Sequence, residues 1–377
     1  MQRKTSETQI ARSVIAEAPT EKLEGALKFI AELRKHNSSK KLYDTYYKGV
    51  KKALDFNQSD RIYYDFRFGG TVTGRLSCAA YTCNDDSMGV SFHTLPRSPE
   101  DPKEIDIRSM FLAEPGEYFI TSDYKTMELR VLAHLSQDKN MVNALRSGED
   151  LHKATASLIY GIPIGQVTKR QRQISKAASF LIVYGGGAWK LSREVNISED
   201  EAEEVINALR HAYPQVFVWF SQVEEFLRKN KYVKSIFNRR RNLLDIRSPD
   251  KKIQSRCVRQ AGNFVIQSSA SDITSFALLD IAMELDTRNL ASRPVATVHD
   301  SIEVVSPAQD LMETLSIMKY KMTQCPYLKK TYGFNFSVPL DTDVEVGANF
   351  GAGGVEVKFD GFNVINREEV LNSIAIQ

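Results

Sequence analysis

The spacing of hydrophobic residues changes along this chain from a pattern typical of strands to one typical of helices, and then back. This change is the feature that most limits what the chain can fold into. Residues 117–124, EYFITSDY, and residues 294–307, PVATVHDSIEVVSP, are rich in the β-branched and aromatic residues that are typical of strands. Between them, residues 140–235 show mainly helical spacing with breaks at glycine and proline, and helical spacing continues to about residue 285. The sequence therefore predicts strands separated by a long helical segment.

Each of the two strand regions carries an aspartate. Asp123 lies where the first run ends, and Asp300 lies near the tip of a predicted hairpin in the second. Each aspartate alone is equally consistent with a cap or a turn. If the strands are neighbours, the two carboxylates meet at one sheet edge. There they would bind a pair of divalent ions, which phosphoryl transfer uses about 4 Å apart, and Mg²⁺ suits such oxygen ligands.

Residues 170–187, RQRQISKAASFLIVYGGG, form a helix-length segment that ends in three glycines. Arg172, Lys176, Phe180 and Tyr184 are spaced four apart, so they face roughly one side of a helix. Two cations and two rings there suit phosphates and a stacked base, although an amphipathic helix with core rings and snorkelling cations fits equally. The glycines follow the helix and lack the GK[ST] ending, which excludes a P-loop and predicts a helix end.

A second polar stripe also has a spacing of four, at Arg259, Asn263 and Gln267. These side chains can reach minor-groove acceptors and sugars, or they form a solvated helix edge. Arg240, inside a run of three arginines, would grip backbone phosphates or belong to a solvated loop.

Three other polar residues remain weak candidates from the sequence. His152 would bind a terminal phosphate or only support helix packing. Asp341 and Asp343 alternate along a predicted strand, and we expect them to face water.

The composition describes a folded chain without a membrane segment. It has 377 residues, of which 42% are hydrophobic and 26% charged, and a net charge of +3. No apolar run approaches the roughly 18 to 20 residues of a membrane span, and the first residues lack a signal-peptide core. Four cysteines without a CxxC pair argue against a disulfide framework or a zinc site. These features predict a cytoplasmic protein.

The motifs together resemble a known family. In order along the chain they are TVTGRLS, ITSDYKTMELRVLAHLS, RQRQISKAASFLIVYGG, RRRNLLDI, RQAGNFVIQ with a following ASD, and VHDS. This order, over residues 60–350, is similar to the family A DNA polymerases. The resemblance implies an α+β right-hand fold with an antiparallel palm sheet, helical fingers and a partial helical thumb, and extension of a DNA primer 3′-OH with dNTPs on a template.

The resemblance also implies a division of the chain into five segments. We expect a partial thumb-like helical segment at 1–60, the first part of the palm with Asp123 at 61–140 and the fingers at 141–250. The second part of the palm, with the Asp300 hairpin, would span 251–350, and a C-terminal tail would span 351–377.

The resemblance implies roles for individual residues. Asp123 and Asp300 would hold two Mg²⁺ ions, and Lys176 would act in catalysis beside them. The nucleotide would contact residues in the fingers and at the end of the first palm strand, namely Arg172, Lys176, Phe180, Tyr184, Glu128 and His152. Glu128 would fill the space of a ribose 2′-OH. The primer-template DNA would contact Arg75, Arg259, Asn263, Gln267, His299 and Arg240.

The chain departs from the family pattern at several places. Ser301 stands where the family usually has an acid, so the third carboxylate is missing, and Lys125 and Thr126 replace the common Ser and Gln. Only about 60 residues precede the match, and no acidic cluster suggests a 3′-5′ exonuclease.

We therefore expect a polymerase without its own exonuclease, either a compact form or a split, phage-like subunit whose thumb and exonuclease lie on another chain in the bacterial host cell. The alternative, a non-catalytic DNA-binding polymerase-like subunit, would not need the metal carboxylates.

Overall fold

The computed structural model describes residues 20–83, 86–99, 101, 104–351 and 353–375. The chain divides into two compact units. One comprises Met1–Phe66 and Cys78–Met110, and the other comprises Arg67–Ser77 and Phe111–Gln377. Helices and antiparallel sheets occur together, which confirms the predicted α+β class. None of the helices in the described residues has both the length and the apolar composition that a membrane crossing requires.

The first unit begins with a long helical segment. Helix α1 (Thr20–Lys41) continues through a π-helical turn (Leu42–Tyr47) into α2 (Lys48–Asn57). A Cβ on Gly49 would lie 2.7 Å from the carbonyl oxygen of Gly89, so α2 packs closely on that loop. Strands β1 (Tyr64–Arg67), β2 (Ser77–Cys83) and β3 (Asp86–Met88) form a small sheet in the order β1-β2-β3.

The second unit contains strand β4 (Glu117–Tyr124) and the long helical segment that the sequence predicts after it. The helices are α3 (Met127–Ser136), α4 (Lys139–Arg146), α5 (Leu151–Tyr160), α6 (Lys169–Val183), α7 (Ala188–Val195), α8 (Glu199–Ala212), α9 (Pro214–Asn230) and α10 (Lys251–Thr287). A hairpin of β5 (Tyr232–Lys234) and β6 (Arg240–Asn242) separates the last two.

Polar N-caps explain where several of these helices begin. The side chains of Asp138, Asp150, Ser198 and Asp250 each accept hydrogen bonds from backbone N–H groups of the first turn. Thr168 forms a capping box with the third residue of α6. Such caps satisfy amide groups that have no partner within the helix, so the sequence fixes the starts of the helices locally.

The remaining elements return the chain to the sheet. They are β7 (Arg293–Val298), β8 (Ser301–Pro307), α11 (Leu311–Gln324), α12 (Pro326–Tyr332), β9 (Thr342–Gly347), β10 (Val355–Glu356), β11 (Phe359–Asp360), β12 (Asn363–Val364) and α13 (Arg367–Ala375). Strands β7 and β8 are the predicted hairpin. The segment expected as a tail contributes β10, which pairs with β9, and Val370, which is fully buried.

The central sheet has the order β10-β9-β4-β8-β7 and is antiparallel throughout. One face of the sheet is largely buried, and the aliphatic side chains of Ile120, Ile302, Val304 and Val344 on it are at most 1% exposed. Helix α11 contacts β4, β8 and β9, and α10 contacts β7 and β8. This packing leaves the ends of β4 and β8 as a rigid support for polar side chains.

Candidate functional site

Asp123 and Asp300 meet at one edge of the central sheet. In the β4–β8 pairing, the Cα partner of Asp123 is Ser301, the residue after Asp300. The backbone N–H of Tyr124 also donates to the carbonyl oxygen of Asp300 at 3.4 Å. The two strands are therefore neighbours, which is the condition on which a shared site depended, although the two aspartates are 177 residues apart. We call this pair the carboxylate edge.

The carboxylate edge offers hard oxygen donors of the kind that Mg²⁺ prefers. Asp123 is exposed and Asp300 is partly exposed. Ser301 is 7% exposed, and its Oγ donates to Oε1 of Glu303 at 2.6 Å. Within the described residues, no group of three or more His, Cys, Asp and Glu side chains is arranged to hold a metal. Two carboxylates still fit Mg²⁺, which commonly takes its other ligands from water and substrate phosphates.

Arg75 connects the carboxylate edge to α3. Its Nη2 donates to Oε1 of Glu128 at 3.1 Å and to Oδ1 of Asp300 at 3.2 Å. Glu128 is only 5% exposed, and burial raises its pKa above the usual value although Arg75 and Tyr184 act in the opposite direction. The positive charge of Arg75 therefore stabilises the buried Glu128 carboxylate, and the same guanidinium donates a hydrogen bond to Asp300.

The turn that delivers Arg75 depends on a glycine. Gly74 has a φ of +79°, and a Cβ on it would lie 2.6 Å from the guanidinium carbon of Arg239. Arg239 is itself held by Asp272, with Nη2 2.6 Å from Oδ1. The sequence analysis missed this support, and the glycine before Arg75 is the signal that could have revealed it.

Helix α6 carries the predicted cations on one side. The Nε and Nη2 atoms of Arg172 each lie 2.8 Å from Oδ2 of Asp150, whose Oδ1 caps α5. Lys176 is exposed and forms no hydrogen bond or salt bridge with any described residue. One cation of the helix is thus already paired, and the other is available to a ligand.

Phe180 and Tyr184 continue the same side of α6. The Phe180 ring packs on His152 with centroids 5.9 Å apart, and His152 is 4% exposed. Burial lowers the pKa of His152 to about 4, so its ring is neutral near pH 7. Tyr184 ends the helix, and its hydroxyl donates to Oε2 of Glu128 at 3.0 Å. We call Arg172, Lys176, Phe180 and Tyr184 the α6 face.

Close packing explains why the first of the three glycines after α6 has no side chain. Gly185 has a φ of +66°, and a Cβ there would lie 2.6 Å from Cγ of Arg259 on α10. From the same side of α10, Nε2 of Gln267 donates to the Tyr184 hydroxyl at 3.4 Å. The second polar stripe therefore lies against the end of α6, as one contiguous surface.

The other predicted DNA-contacting residues are placed differently. Asn263 lies between Arg259 and Gln267 on α10, and its buried Oδ1 has no partner among the described residues. His299 is exposed at the β7–β8 turn with a φ of +59°. Arg240 lies on the β5–β6 hairpin, 3.8 Å above the Tyr232 ring. Its contacts are local, so Arg240 is the candidate with the least connection to the carboxylate edge.

A cavity of about 720 Å³ joins the carboxylate edge to α5 and α6. Its polar lining includes groups from both sides of the site, namely Asp123, Lys125, Asp150, His152, Arg172, Lys176, Asp341 and Asp343. Its size is typical of a pocket for a small molecule. A polyphosphate in this cavity would meet cations from α6 and a carboxylate from β4.

Lys125 is a charged residue of this cavity to which the sequence analysis gave no role. Its Nζ lies 3.0 Å from Oδ2 of Asp341 and 2.9 Å from Oδ1 of Asp343. Burial alone would lower the pKa of Lys125, but these hydrogen bonds raise it. Burial would likewise raise the pKa of Asp341, but Lys319 and Lys125 lower it to about 2. The two acids thus pair with lysines, in addition to the water contact that we expected.

The chain is similar in sequence to DNA polymerases from several sources. The sequence model described as DNA polymerase family A matches residues 1–352. DNA polymerase I of Caldicellulosiruptor bescii is 33% identical over 310 residues, which cover 82% of this chain and 34% of that protein. DNA polymerase I of Treponema pallidum is 36% identical over 312 residues, covering 82% and 29%. A DNA polymerase of Bacillus phage SP01 is 32% identical over 336 residues, covering 86% and 35%.

A solved structure shows a similar arrangement. The POL domain of Pol1 from M. smegmatis, in complex with DNA primer-template and dNTP, superposes with a TM-score of 0.76 at 26% identity, covering 93% of this chain and 57% of that chain. The chain spans about a third of the length of the curated relatives named above.

Proposed function

Because this chain belongs to DNA polymerase family A, as its motifs predict, we propose that it is a DNA-directed DNA polymerase. In this proposal it extends the 3′-OH of a primer on a template strand. The hydroxyl attacks the α-phosphorus of a dNTP, a new phosphodiester bond forms, and pyrophosphate leaves. The primer-template and the dNTP would be its partners, and replication would be its process.

One observation carries the proposal. The 720 Å³ cavity is lined by Asp123 at the end of β4 and by Arg172 and Lys176 on α6. A triphosphate needs cations along its length, and a reacting phosphorus needs metal-binding carboxylates beside it. Asp123 on one side of this cavity and two cations of α6 on the other support the proposal that a triphosphate binds there.

In the proposed reaction the α6 face binds the nucleotide. Lys176 is exposed and forms no ion pair with any described residue, so it can bind the phosphates directly and can donate a proton toward the leaving pyrophosphate. Arg172 must exchange Asp150 for a phosphate, since its Nε and Nη2 are both used. The Phe180 ring, backed by neutral His152, would lie against the nucleotide.

The carboxylate edge would hold two Mg²⁺ ions through Asp123 and Asp300. When bound, the ions supply charge stabilisation for the attacking and leaving oxygens. Arg75 keeps Asp300 in place and neutralises it in part before ions arrive. Buried Glu128, fixed by Arg75 and Tyr184, would fill the space that a ribose 2′-OH needs and so favour dNTPs.

The DNA duplex would run along the contiguous surface of α10 and the β7–β8 turn. Asn263 and Gln267 present amide groups suited to minor-groove acceptors, and Arg259 suits phosphates or sugars. His299 beside Asp300 would contact the primer end, and Arg240 would contact a phosphate farther along. These contacts tolerate any sequence, as template copying requires.

A primer-extension assay tests the proposal. The full chain is incubated with labelled primer-template, four dNTPs and MgCl₂, and a double variant Asp123→Asn/Asp300→Asn is the matched control. We expect extension by the wild type only, with both proteins retaining the DNA in a binding assay. DNA binding without extension by the wild type would instead support a non-catalytic DNA-binding subunit. The same reactions without dNTPs check the prediction that the chain does not shorten the primer.

A further inference from the structure

Four charged side chains form a compact group on β4 and β9 beside the carboxylate edge. Asp123 and Asp343 are direct Cα partners in the antiparallel pairing. Lys125 and Asp341 come next, joined by a backbone hydrogen bond of 2.9 Å from the Lys125 N–H to the Asp341 carbonyl. Residues two apart on a strand share a face, so three carboxylates and one ammonium lie on the same side of the sheet.

The ammonium of Lys125 lies between two of these carboxylates. It is 3.0 Å from Oδ2 of Asp341 and 2.9 Å from Oδ1 of Asp343. Asp341 has a second cation, Lys319, 2.6 Å from its Oδ1. Among the described residues, Lys125 is the one salt-bridge partner of Asp343. Removing Lys125 would therefore leave Asp343 without a cation and Asp341 with one.

Without Lys125, the carboxylates would repel one another and would attract divalent cations. Like charges that face each other directly across two strands repel, as Asp123 and Asp343 would. Carboxylates from neighbouring positions also supply the oxygen ligands that divalent cations take. An ammonium that already contacts both Asp341 and Asp343 offsets the repulsion and occupies the place of such a cation.

We propose that Lys125 is the resident cation of Asp341 and Asp343, and that it confines divalent ions to Asp123 and Asp300. The inference rests on the proposed use of Asp123 and Asp300 as metal ligands. In this role Lys125 determines which carboxylates of the cavity can bind an ion. A nucleotide that enters then meets one metal-binding pair, and Asp123 is not drawn into a second site with Asp343.

Counting bound Mn²⁺ tests this role without any turnover. Isothermal titration and Mn²⁺ EPR are carried out on the full chain in the absence of DNA and nucleotide. Lys125→Ser and Lys125→Gln should each bind about one more Mn²⁺ ion per chain than the wild type, since Asp343 then has no cation and Asp341 keeps only Lys319. Both variants are used so that a folding defect in one leaves the other as the test.

Two kinds of control separate this role from general loss of charge. Lys125→Arg keeps a cation between the acids, and Lys319→Met removes a cation that contacts Asp341 but not Asp343. We expect neither to gain an ion. Adding Asp343→Asn to Lys125→Ser should abolish the extra ion.

The outcomes are distinct from those of the proposed function. Folded Lys125 variants that bind only the wild-type number of ions would overturn the inference, whatever the wild type does in primer extension. Likewise, a Lys125→Arg variant that gains an ion would overturn it. A wild type that binds Mn²⁺ but does not extend primers, combined with a gained ion in Lys125→Ser, would contradict the proposed function and still support the role of Lys125.

Discussion

The carboxylate edge and the α6 face both contribute to one cavity, through Asp123 and through Arg172 and Lys176, but they hold their charged groups in different ways. Asp123 and Asp300 are placed by backbone pairing between β4 and β8, in the middle of a five-stranded sheet. On α6, the Arg172 side chain is held by a salt bridge to Asp150. The Lys176 side chain has no hydrogen bond or salt bridge with any described residue. Backbone pairing cannot be exchanged for a ligand, whereas a salt bridge can. The sheet therefore suits chemistry that needs fixed positions, and the helix suits binding and release.

The largest effect should follow from removing a carboxylate of the edge. Asp123→Ala or Asp300→Ala should lower the rate of primer extension at least about 1,000-fold, equivalent to about 4 kcal/mol of activation free energy. The ions would lose a ligand that no neighbouring side chain replaces, since Ser301 is engaged with Glu303. Single-turnover extension measures the rate.

A neighbouring acid provides the control for this prediction. Asp343→Asn alters a carboxylate opposite Asp123 that already pairs with Lys125, and we expect less than about a tenfold loss of rate. Equal losses in Asp123→Ala and Asp343→Asn would show that the whole strand end, and not the carboxylate edge, determines the rate.

The next effect concerns the buried ring behind the α6 face. His152 has a pKa of about 4 in the folded chain, against an ordinary value of about 6.5. Between these values the unfolded chain binds more protons, so stability is full above about pH 6.5 and falls as the pH decreases toward 4. The difference corresponds to about 3 kcal/mol of unfolding free energy.

Urea unfolding of the wild type and of His152→Gln at several pH values measures this contribution. The charged residues around His152, namely Asp150, Arg172 and Lys176, are present in both proteins, so the difference between the two isolates the ring. A difference that stays constant from pH 7 to 4.5 would contradict burial of a neutral ring behind the α6 face.

A third prediction separates the two cations of the helix. Lys176→Met should lower kcat/KM for dNTP about 100-fold, or about 2.7 kcal/mol, because an available charge is lost. Arg172→Met should cost only about tenfold, since Arg172 must first leave Asp150. Asp150→Asn keeps a residue suited to the N-cap and frees Arg172, so it should lower KM for dNTP.

Steady-state kinetics on the three variants tests this ordering. If Asp150→Asn raised KM as much as Arg172→Met, the Asp150–Arg172 pair would have to act as a unit and not as a contact that the nucleotide displaces.

The helix that carries the α6 face could be predicted from the sequence because its spacing is local. A period of four puts side chains on one side of any helix, and the N-caps that start α5 and α6 are visible in the sequence. The carboxylate edge was predicted only conditionally, because no local pattern says which strands pair. The condition was that the two strands are neighbours, and the structure shows that β4 pairs with β8.

The charged group around Lys125, which the sequence did not predict, depends on register. Asp343 lies opposite Asp123 only because β9 pairs with β4, and that pairing brings Lys125 to Asp341 and Asp343. From sequence alone the two acids looked like ordinary water-facing residues. Register between distant strands is set by the whole sheet, so charges that meet across strands escape any analysis of neighbouring residues.

The smallest effect should come from the hydrogen bonds that join the two regions. The Tyr184 hydroxyl at the end of α6 donates to Glu128, and Arg75 links Glu128 to Asp300. Tyr184→Phe removes one donor, but Arg75 still satisfies the buried carboxylate. We therefore expect a loss of only about 1 kcal/mol in the free energy of unfolding, measured in urea.

A double-mutant cycle shows whether this link connects the carboxylate edge to the α6 face. Arg75→Met alone leaves Glu128 with the Tyr184 hydroxyl as its remaining strong donor, so Tyr184→Phe should cost more in that background than in the wild type. Gln267→Ala removes a weak 3.4 Å contact to Tyr184 and a further hydrogen-bond partner of Glu128, so its cost should also rise in the Arg75→Met background, but by less than that of Tyr184→Phe. If Glu128 links the two regions, the loss of both donors should lower the free energy of unfolding by more than the sum of the single losses. Additive effects of Tyr184→Phe and Arg75→Met would therefore mean that the helix end and the sheet edge are held independently.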